Sequence, residues 1–224
     1  MLSQYFALNL EQQLSKITEH GFCVMDNFIP PSNVLALVNE ITQLNDAALM
    51  LEAGTGRSVV SFNHKLRGDS IYWLNEDNAS IAQQDYFKKM EILRLGLNQH
   101  LYLGLFALES HLALYPTGAG YKKHVDRFKS GGPITGQTMR QISCILYLNQ
   151  DWVEADGGHL RLYLNADNAL PTEALTDSSQ LKPLQLDIAP IGGRLVLFLS
   201  DTFYHEVLAT TKDRMSLTGW FLTR

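Results

Sequence analysis

The sequence predicts an α+β protein whose N-terminal helices pack on one sheet of a strand-rich core. Three observations predict it. Up to about residue 105 the apolar residues recur mainly at helical spacing. From residue 106 onward, short strand-type runs alternate with Gly, Asp, Asn and Pro. Hydrophobic residues make up 46% of the 224 positions and charged residues 18%, the proportions of a chain that buries a core. That length suits one ample domain or two small ones. No linker, repeat or low-complexity tract divides it, so residues 1–224 are read as a single domain, with helical support over 1–105 and a β core over 106–224.

Each element has a local reason. Leu2, Phe6, Leu10, Leu14 and Ile17 fall on one helical face over residues 2–19, and Gly21 closes that helix. GFCVMDNFI (21–29) reads as a strand. Pro30 and Pro31 break the chain, and Ser32 is the expected cap of a second helix running to about Ala53. Residues 54–70 carry Gly54, Gly56 and Gly68 with little periodicity, which suggests a long loop or hairpin acting as a mobile lid, with an exposed Arg67–Asp69 pair at its base. IYWL (71–74) is a short apolar run. A third helix is expected over 80–101 with the stripe Ile81, Phe87, Ile92, Leu95 and Leu97. Eight strand-type runs follow: HLALY, YKKHVD, RQISCILYL, GGHLRLYL, LQLDIAP, GRLVLFL, HEVLAT and RMSLTGWFL, which suit a sandwich, a barrel or a jelly roll.

The net charge of −5 disfavours a nucleic-acid partner, and no run of about 18 uncharged apolar residues offers a membrane span. The N-terminus has no basic start, and Glu11 interrupts it early, unlike a signal peptide. Cys23 and Cys144 both sit among apolar residues, as buried thiols in a reducing compartment do, so the expected location is cytoplasmic.

The chemistry gathers in two places. In HVD, His124 and Asp126 stand two residues apart, and on a strand such residues share a face. Alone, H-x-D is common. Downstream, His205 lies in a second strand-like run and Arg214 follows nine residues later, with Ser216 and Thr218 on Arg214's face by alternation. Two histidines and a carboxylate make the facial triad of non-haem Fe(II) oxygenases, which leaves coordination positions open for a keto acid and dioxygen. A distal carboxylate on that keto acid needs a permanently charged planar donor, which arginine supplies.

The motifs YPTGAGYKKHVD, RQISCILYLNQDW, GGHLRLYL, HEVLATTKDRMSLTGW and LRGDSIYWL together resemble the Fe(II)/2-oxoglutarate-dependent prolyl hydroxylases, specifically the Egl-nine type that hydroxylates hypoxia-inducible factor, in a short bacterial-like form. The resemblance covers about residue 22 to the end. It implies a double-stranded β-helix (jelly roll) core with the N-terminal helices packed on one sheet. It implies iron ligands His124, Asp126 and His205, with Arg214 and Tyr147 on the distal carboxylate of 2-oxoglutarate. Tyr115, Ile145, Leu160, Val207, Thr218 and Trp220 would line the cosubstrate pocket or its rim, and Arg140, Arg67 and Asp69 would lie toward the substrate. The implied cofactors are Fe(II), 2-oxoglutarate as cosubstrate and O2, with ascorbate as a reductant. The implied partner is a protein substrate carrying a target proline, with no nucleic acid and no membrane. The chain departs from the hypoxia-pathway members at Arg127, where they carry Asn, in longer connections at 127–139 and 166–183, and in ending four residues after Trp220.

Other polar residues are expected to be structural. His111 shares parity with Tyr115 but reads as a satisfied histidine, and His159 as an exposed one; His20, His64 and His100 read as solvated. Cys144 and Trp152 suit packing, whereas Asp201 and Gly192-Gly193 suit turns. Two rival functions remain: hydroxylation of a free amino acid or other small molecule, and a cupin-like protein that binds metal or ligand without turnover. A metal-only site has no need of Arg214 and Tyr147.

Overall fold

The structure, a computed structural model, describes residues 2–54, 66–127, 138–164 and 184–224. Most of the expected lid, His64 and most of the two long connections lie outside the described residues. Among the described residues, three α-helices are formed: α1 (Leu2–His20), α2 (Pro31–Asp46) and α3 (Ile81–Leu101). The strands are β1 (Phe22–Met25), β2 (Leu51–Glu52), β3 (Ser70–Trp73), β4 (Ala107–Tyr115), β5 (Tyr121–His124), β6 (Met139–Tyr147), β7 (Leu160–Tyr163), β8 (Gln185–Ile188), β9 (Leu195–Leu199), β10 (Tyr204–Val207) and β11 (Arg214–Thr223). β4 to β11 correspond to the eight strand-type runs of the second half.

The strands form two antiparallel sheets. The larger has the order β1-β9-β6-β11-β4-β3-β2 and the smaller β5-β10-β7-β8. Alternation along β6 shows how the layers are made. Ile142, Cys144 and Leu146 join a cluster with Leu37, Ile41, Leu93 and Leu97 of the helices. Ile145 and Tyr147, on the opposite face, join Leu160, Leu162 and Ile188 of the smaller sheet. The large sheet is thus covered by helices on one side and faces the small sheet on the other, in a double-stranded β-helix arrangement. Leu37, Ile41 and Leu97 are fully buried, and each such side chain contributes about 1.5–3 kcal/mol relative to exposure, so the helices form part of the core.

Several elements differ from the sequence reading. Ser32 does not cap α2: Pro30 is the cap residue and Pro31 opens the helix, where its missing N–H costs nothing. The helix stops at Asp46, short of Ala53, and the chain turns at Ala48, whose φ is 53°. β1 is shorter than 21–29 because Asn27 takes a φ of 55° and turns the chain. α3 starts where expected, with Ser80 Oγ accepting from Gln83 N at 3.1 Å. Its buried face, however, is Ala82, Tyr86, Met90, Leu93 and Leu97, while Ile81 is 81% exposed and Ile92 and Leu95 also face solvent. The Tyr86 hydroxyl, hydrogen-bonded to Ser110 of β4 at 3.0 Å, belongs to the face that packs. A tally of aliphatic residues misses it.

The Arg67–Asp69 pair is not exposed: Asp69 is buried and Arg67 half-buried. Arg67 donates from Nε and Nη2 to the two Asp69 oxygens at 2.6 and 2.9 Å, and the Asp69 side chain is sequestered from solvent. An isolated bridge between Arg67 and Tyr121 draws the pair against β5, with the guanidinium 4.8 Å over the Tyr121 ring.

β5 approaches β10 closely just before its first residue. A Cβ on Gly120 would stand 2.6 Å from the Val207 carbonyl oxygen, which is backbone and has little freedom to move. Gly120→Ala is therefore expected to lose about 1–3 kcal/mol of stability, measured by urea denaturation, because the strand carrying His124 has to shift.

Candidate active site

β10 lies between β5 and β7, and its pairing sets His205 directly opposite His124. The register slips between His205 and Val207, a bulge of the kind that re-aims side chains. Asp126 is not on the strand expected to carry it. β5 ends at His124, and Asp126 follows in a bend. It still comes to the histidines: the Nε2 atoms of His124 and His205 each lie 3.7 Å from one of its carboxylate oxygens. One ligand atom from each of the three residues falls within 4.8 Å of the others, an array that could hold a metal ion.

The hydrogen bonds fix how each side chain is presented. His124 Nδ1 lies 2.8 Å from the Lys122 carbonyl and His205 Nδ1 lies 3.1 Å from that of Phe203. A carbonyl only accepts, so each Nδ1 carries the proton and each Nε2 offers a lone pair to the centre. Asp126 Oδ2 accepts from Ser143 Oγ at 2.6 Å and from Trp220 Nε1 at 2.9 Å, which leaves Oδ1 as the less engaged oxygen. Burial, reinforced by the neighbouring His205 imidazole, holds the His124 pKa down to about 3, so this imidazole is neutral at physiological pH. Burial opposes ionisation of Asp126, but the two histidines and the two hydrogen bonds outweigh it and hold its carboxyl below the usual range. A neutral imidazole donor beside an ionised carboxylate is the donor set a divalent transition metal takes.

A second feature adjoins the first through β11. Arg214 is 1% exposed, its guanidinium 5.0 Å from the ring centres of both Tyr115 and Tyr147. Nε donates to the Gly158 carbonyl at 2.8 Å. Nη2 has no protein partner, and neither do the equally buried Tyr147 hydroxyl and Ser216 hydroxyl. Ser216 and Tyr147 are register partners across β11 and β6, so these polar atoms are gathered by the sheet. A buried donor left unpaired costs about 1–3 kcal/mol. An arginine with an unpaired Nη2, two unpaired hydroxyls and no carboxylate at ion-pair distance among the described residues fits a small ligand with a carboxylate. Burial pushes the Tyr147 phenol up to about 12, so it stays a neutral donor.

The remaining expected pocket residues distribute as follows. Thr218 lies beside Ile145, and Leu160 beside Val207, within the two facing sheets. Tyr115 packs with Val207 between them. Trp220, expected to line the cosubstrate pocket or its rim, hydrogen-bonds Asp126. Arg140 lies beyond it, its guanidinium carbon 3.5 Å from the Trp220 ring centre and its Nε on Glu109 at 2.7 Å. Arg67 reaches the centre only through Tyr121, whose ring stacks on His124 at 3.6 Å. Ser143 and Tyr121 were not anticipated. Ser143 shares strand parity with Ile145 and Tyr147, a signal that could have found it.

His111 is buried against Trp73 and Trp220, with burial lowering its pKa to about 4, and it lies outside the metal-ligand cluster. His159 is not exposed as expected: the turn through Gly157 and Gly158, both at positive φ, folds it inward, with Nε2 3.2 Å from Glu154. Trp152 packs as expected, its indole N–H donating to the Gly157 carbonyl at 3.1 Å.

Comparison with known proteins gives the same account. The family model for the 2OG-Fe(II) oxygenase superfamily matches residues 110–222. Prolyl hydroxylase EGLN3 of Mus musculus is 30% identical over 221 residues, covering 95% of this chain and 82% of that protein. A Pseudomonas putida prolyl-4-hydroxylase crystal structure superimposes with a TM-score of 0.79 at 34% identity, covering 96% of this chain and 99% of that one. A prolyl hydroxylase from Trichoplax adhaerens, solved with a peptide fragment of the hypoxia-inducible factor oxygen degradation domain, gives a TM-score of 0.79 at 25% identity, covering 98% and 91%. With the His-Asp-His cluster on one strand pair and the bend that follows it, and the unmet polar atoms on the facing sheet, the chain belongs to the 2OG-Fe(II) oxygenase superfamily, whose enzymes use Fe(II), 2-oxoglutarate and dioxygen, and is homologous to the EGLN prolyl hydroxylases.

Proposed function

We propose that this chain hydroxylates a prolyl residue of a protein substrate, at the 4-position by its likeness to the Pseudomonas putida enzyme, with His124 Nε2, Asp126 Oδ1 and His205 Nε2 as the Fe(II) ligands. The observation that carries the reading is the trio of buried, unpartnered polar atoms on Arg214, Tyr147 and Ser216. Bound Fe(II) and 2-oxoglutarate supply the oxidant that turns a substrate C–H into C–OH, as dioxygen converts 2-oxoglutarate to succinate and CO2.

The chain's own residues do the holding and the shaping. Arg214 meets the distal carboxylate with the edge its bond to Gly158 leaves free, and Tyr147 and Ser216 donate beside it. Tyr115, Ile145, Leu160, Val207 and Thr218 supply the pocket walls, and the apolar members keep water out. Trp220 orients Asp126 while presenting its ring toward Arg140, a contact that supports a substrate-side role for Arg140. Arg67 occupies the other flank. Asp69 acts by holding Arg67, since Arg67 engages both of its oxygens. The whole of 1–224 acts as one catalytic unit in this reading. A cytoplasmic location is supported by the two free, buried cysteines and the lack, among the described residues, of a helix long and apolar enough to cross a membrane.

The test is to incubate host-cell lysate with the protein, Fe(II) and 2-oxoglutarate and to search peptides for one added oxygen on proline. Turnover of free amino acids with none on any protein decides against the reading. Arg214→Lys keeps the charge but loses the planar fork, and a charged hydrogen bond contributes about 1.5–3 kcal/mol. The apparent KM for 2-oxoglutarate, followed by succinate release, is expected to rise about tenfold or more. Ser216→Ala removes a hydroxyl that is unsatisfied without cosubstrate. The cosubstrate-free protein is expected to melt at the wild-type temperature or above, while the increase in Tm on adding 2-oxoglutarate with Mn(II) shrinks.

A further inference from the structure

The two histidines of the cluster are fixed by strand pairing, one opposite the other, but Asp126 lies past the end of β5 and no ladder holds it. What holds it is the Trp220 indole N–H, which donates to Oδ2 at 2.9 Å, together with a closed ring of hydrogen bonds. Ser143 Oγ donates to Asp126 Oδ2 at 2.6 Å and lies 2.9 Å from Ser200 Oγ. The Ser200 carbonyl accepts from the backbone N–H of Arg127 at 3.0 Å, and Arg127 is covalently joined to Asp126. Outside the ring, the Arg127 side chain spans two further elements: Nη1 donates to Gln141 Oε1 of β6 at 2.9 Å, and Nη2 donates to Asp201. Asp201 sits in the turn between β9 and β10, four residues before His205. The guanidinium thus ties the bend bearing Asp126 to β6 and to the turn that leads to His205.

We propose that Arg127 is a positioning residue of the metal centre, a clasp whose two arms to Gln141 and Asp201 set where Asp126 stands relative to His124 and His205 and so govern how firmly the ion is retained. The Arg127 guanidinium bonds Gln141 and Asp201 and none of the three ligand side chains. Its action runs through the backbone it pins, with Ser200 and Ser143 transmitting the constraint to the carboxylate. Groups that orient a ligand typically alter metal affinity about 10–100-fold when removed. The proposal rests on the reading of His124, Asp126 and His205 as the metal ligands.

The experiment measures Mn(II) affinity and dissociation by electron paramagnetic resonance for wild type and Arg127→Ala, at a temperature well below the melting of either metal-free protein. Arg127→Ala is expected to bind Mn(II) about 10–100-fold more weakly, with faster release, while still melting cooperatively. Arg127→Lys recovers part of the affinity, because it keeps the ion pair with Asp201 and loses the arm to Gln141. Asp201→Asn weakens binding to a similar degree, and adding it to Arg127→Ala causes little further loss, since both cut the same tie. Wild-type affinity and release in folded Arg127→Ala overturn the proposal. If Arg127→Ala does not fold, unchanged Mn(II) affinity in both Asp201→Asn and Gln141→Ala overturns it instead. Asp126→Ala separates the two levels of the argument. Wild-type Mn(II) binding by Asp126→Ala removes the metal assignment and the clasp with it, whereas loss there with no change in the clasp variants removes the clasp alone.

Discussion

The pairing of β5 with β10 sets His205 across from His124, and the rest of the site is arranged around that contact. A regular antiparallel ladder places the next residue pair in fixed register, but here the pairing slips before Val207, which faces Tyr121. The slip leaves both imidazoles within reach of one carboxylate while each Nδ1 is tethered to a carbonyl two residues back along the chain. Moving either strand by one residue would turn one imidazole to the opposite face. Gly120 allows the close approach of the two strands, and Tyr121 stacks on His124 from the same strand.

The large sheet has to serve two environments at once. Its outer face is aliphatic and closes against α1, α2 and α3. Its inner face carries Arg214, Ser216, Tyr147 and Ser143, polar groups that an apolar core does not tolerate without partners. The arrangement works because β6 and β11 alternate over residues 142–147 and 214–221 and send every second residue to the helices. The apolar contacts made there offset the cost of keeping polar groups unpaired on the inner side.

How much of this was legible in the sequence depended on whether a residue's role followed from its own strand. His124, His205, Arg214 and Tyr147 lie on strands whose alternation sends them to the facing sheets; the types and spacing of the first three point to them, whereas Tyr147 follows only from the family resemblance. Asp126 was placed by strand parity, yet it sits beyond the strand; its position comes from hydrogen bonds to Ser143 and Trp220, contacts far apart in the chain. The buried face of α3 was misread because Tyr86 packs through its hydroxyl, whereas Ile81, Ile92 and Leu95 lie on the solvent side. Arg67–Asp69 and His159 looked like surface groups because nothing local shows that Tyr121, or the double-glycine turn, covers them. Ser143 shares strand parity with Ile145 and Tyr147, whereas Ser200 lies in a turn and carries no pattern of its own.

The unmet donors around Arg214 also bear on how long the folded chain lasts. A ligand that binds only the folded state stabilises it by mass action, about 2.7 kcal/mol when its concentration is a hundred times the dissociation constant. A pocket whose buried groups lack partners until a dicarboxylate arrives makes the folded population depend on the supply of that metabolite. Starvation for the cosubstrate would then lower the amount of enzyme as well as its rate, since chains that unfold more often are more open to proteolysis.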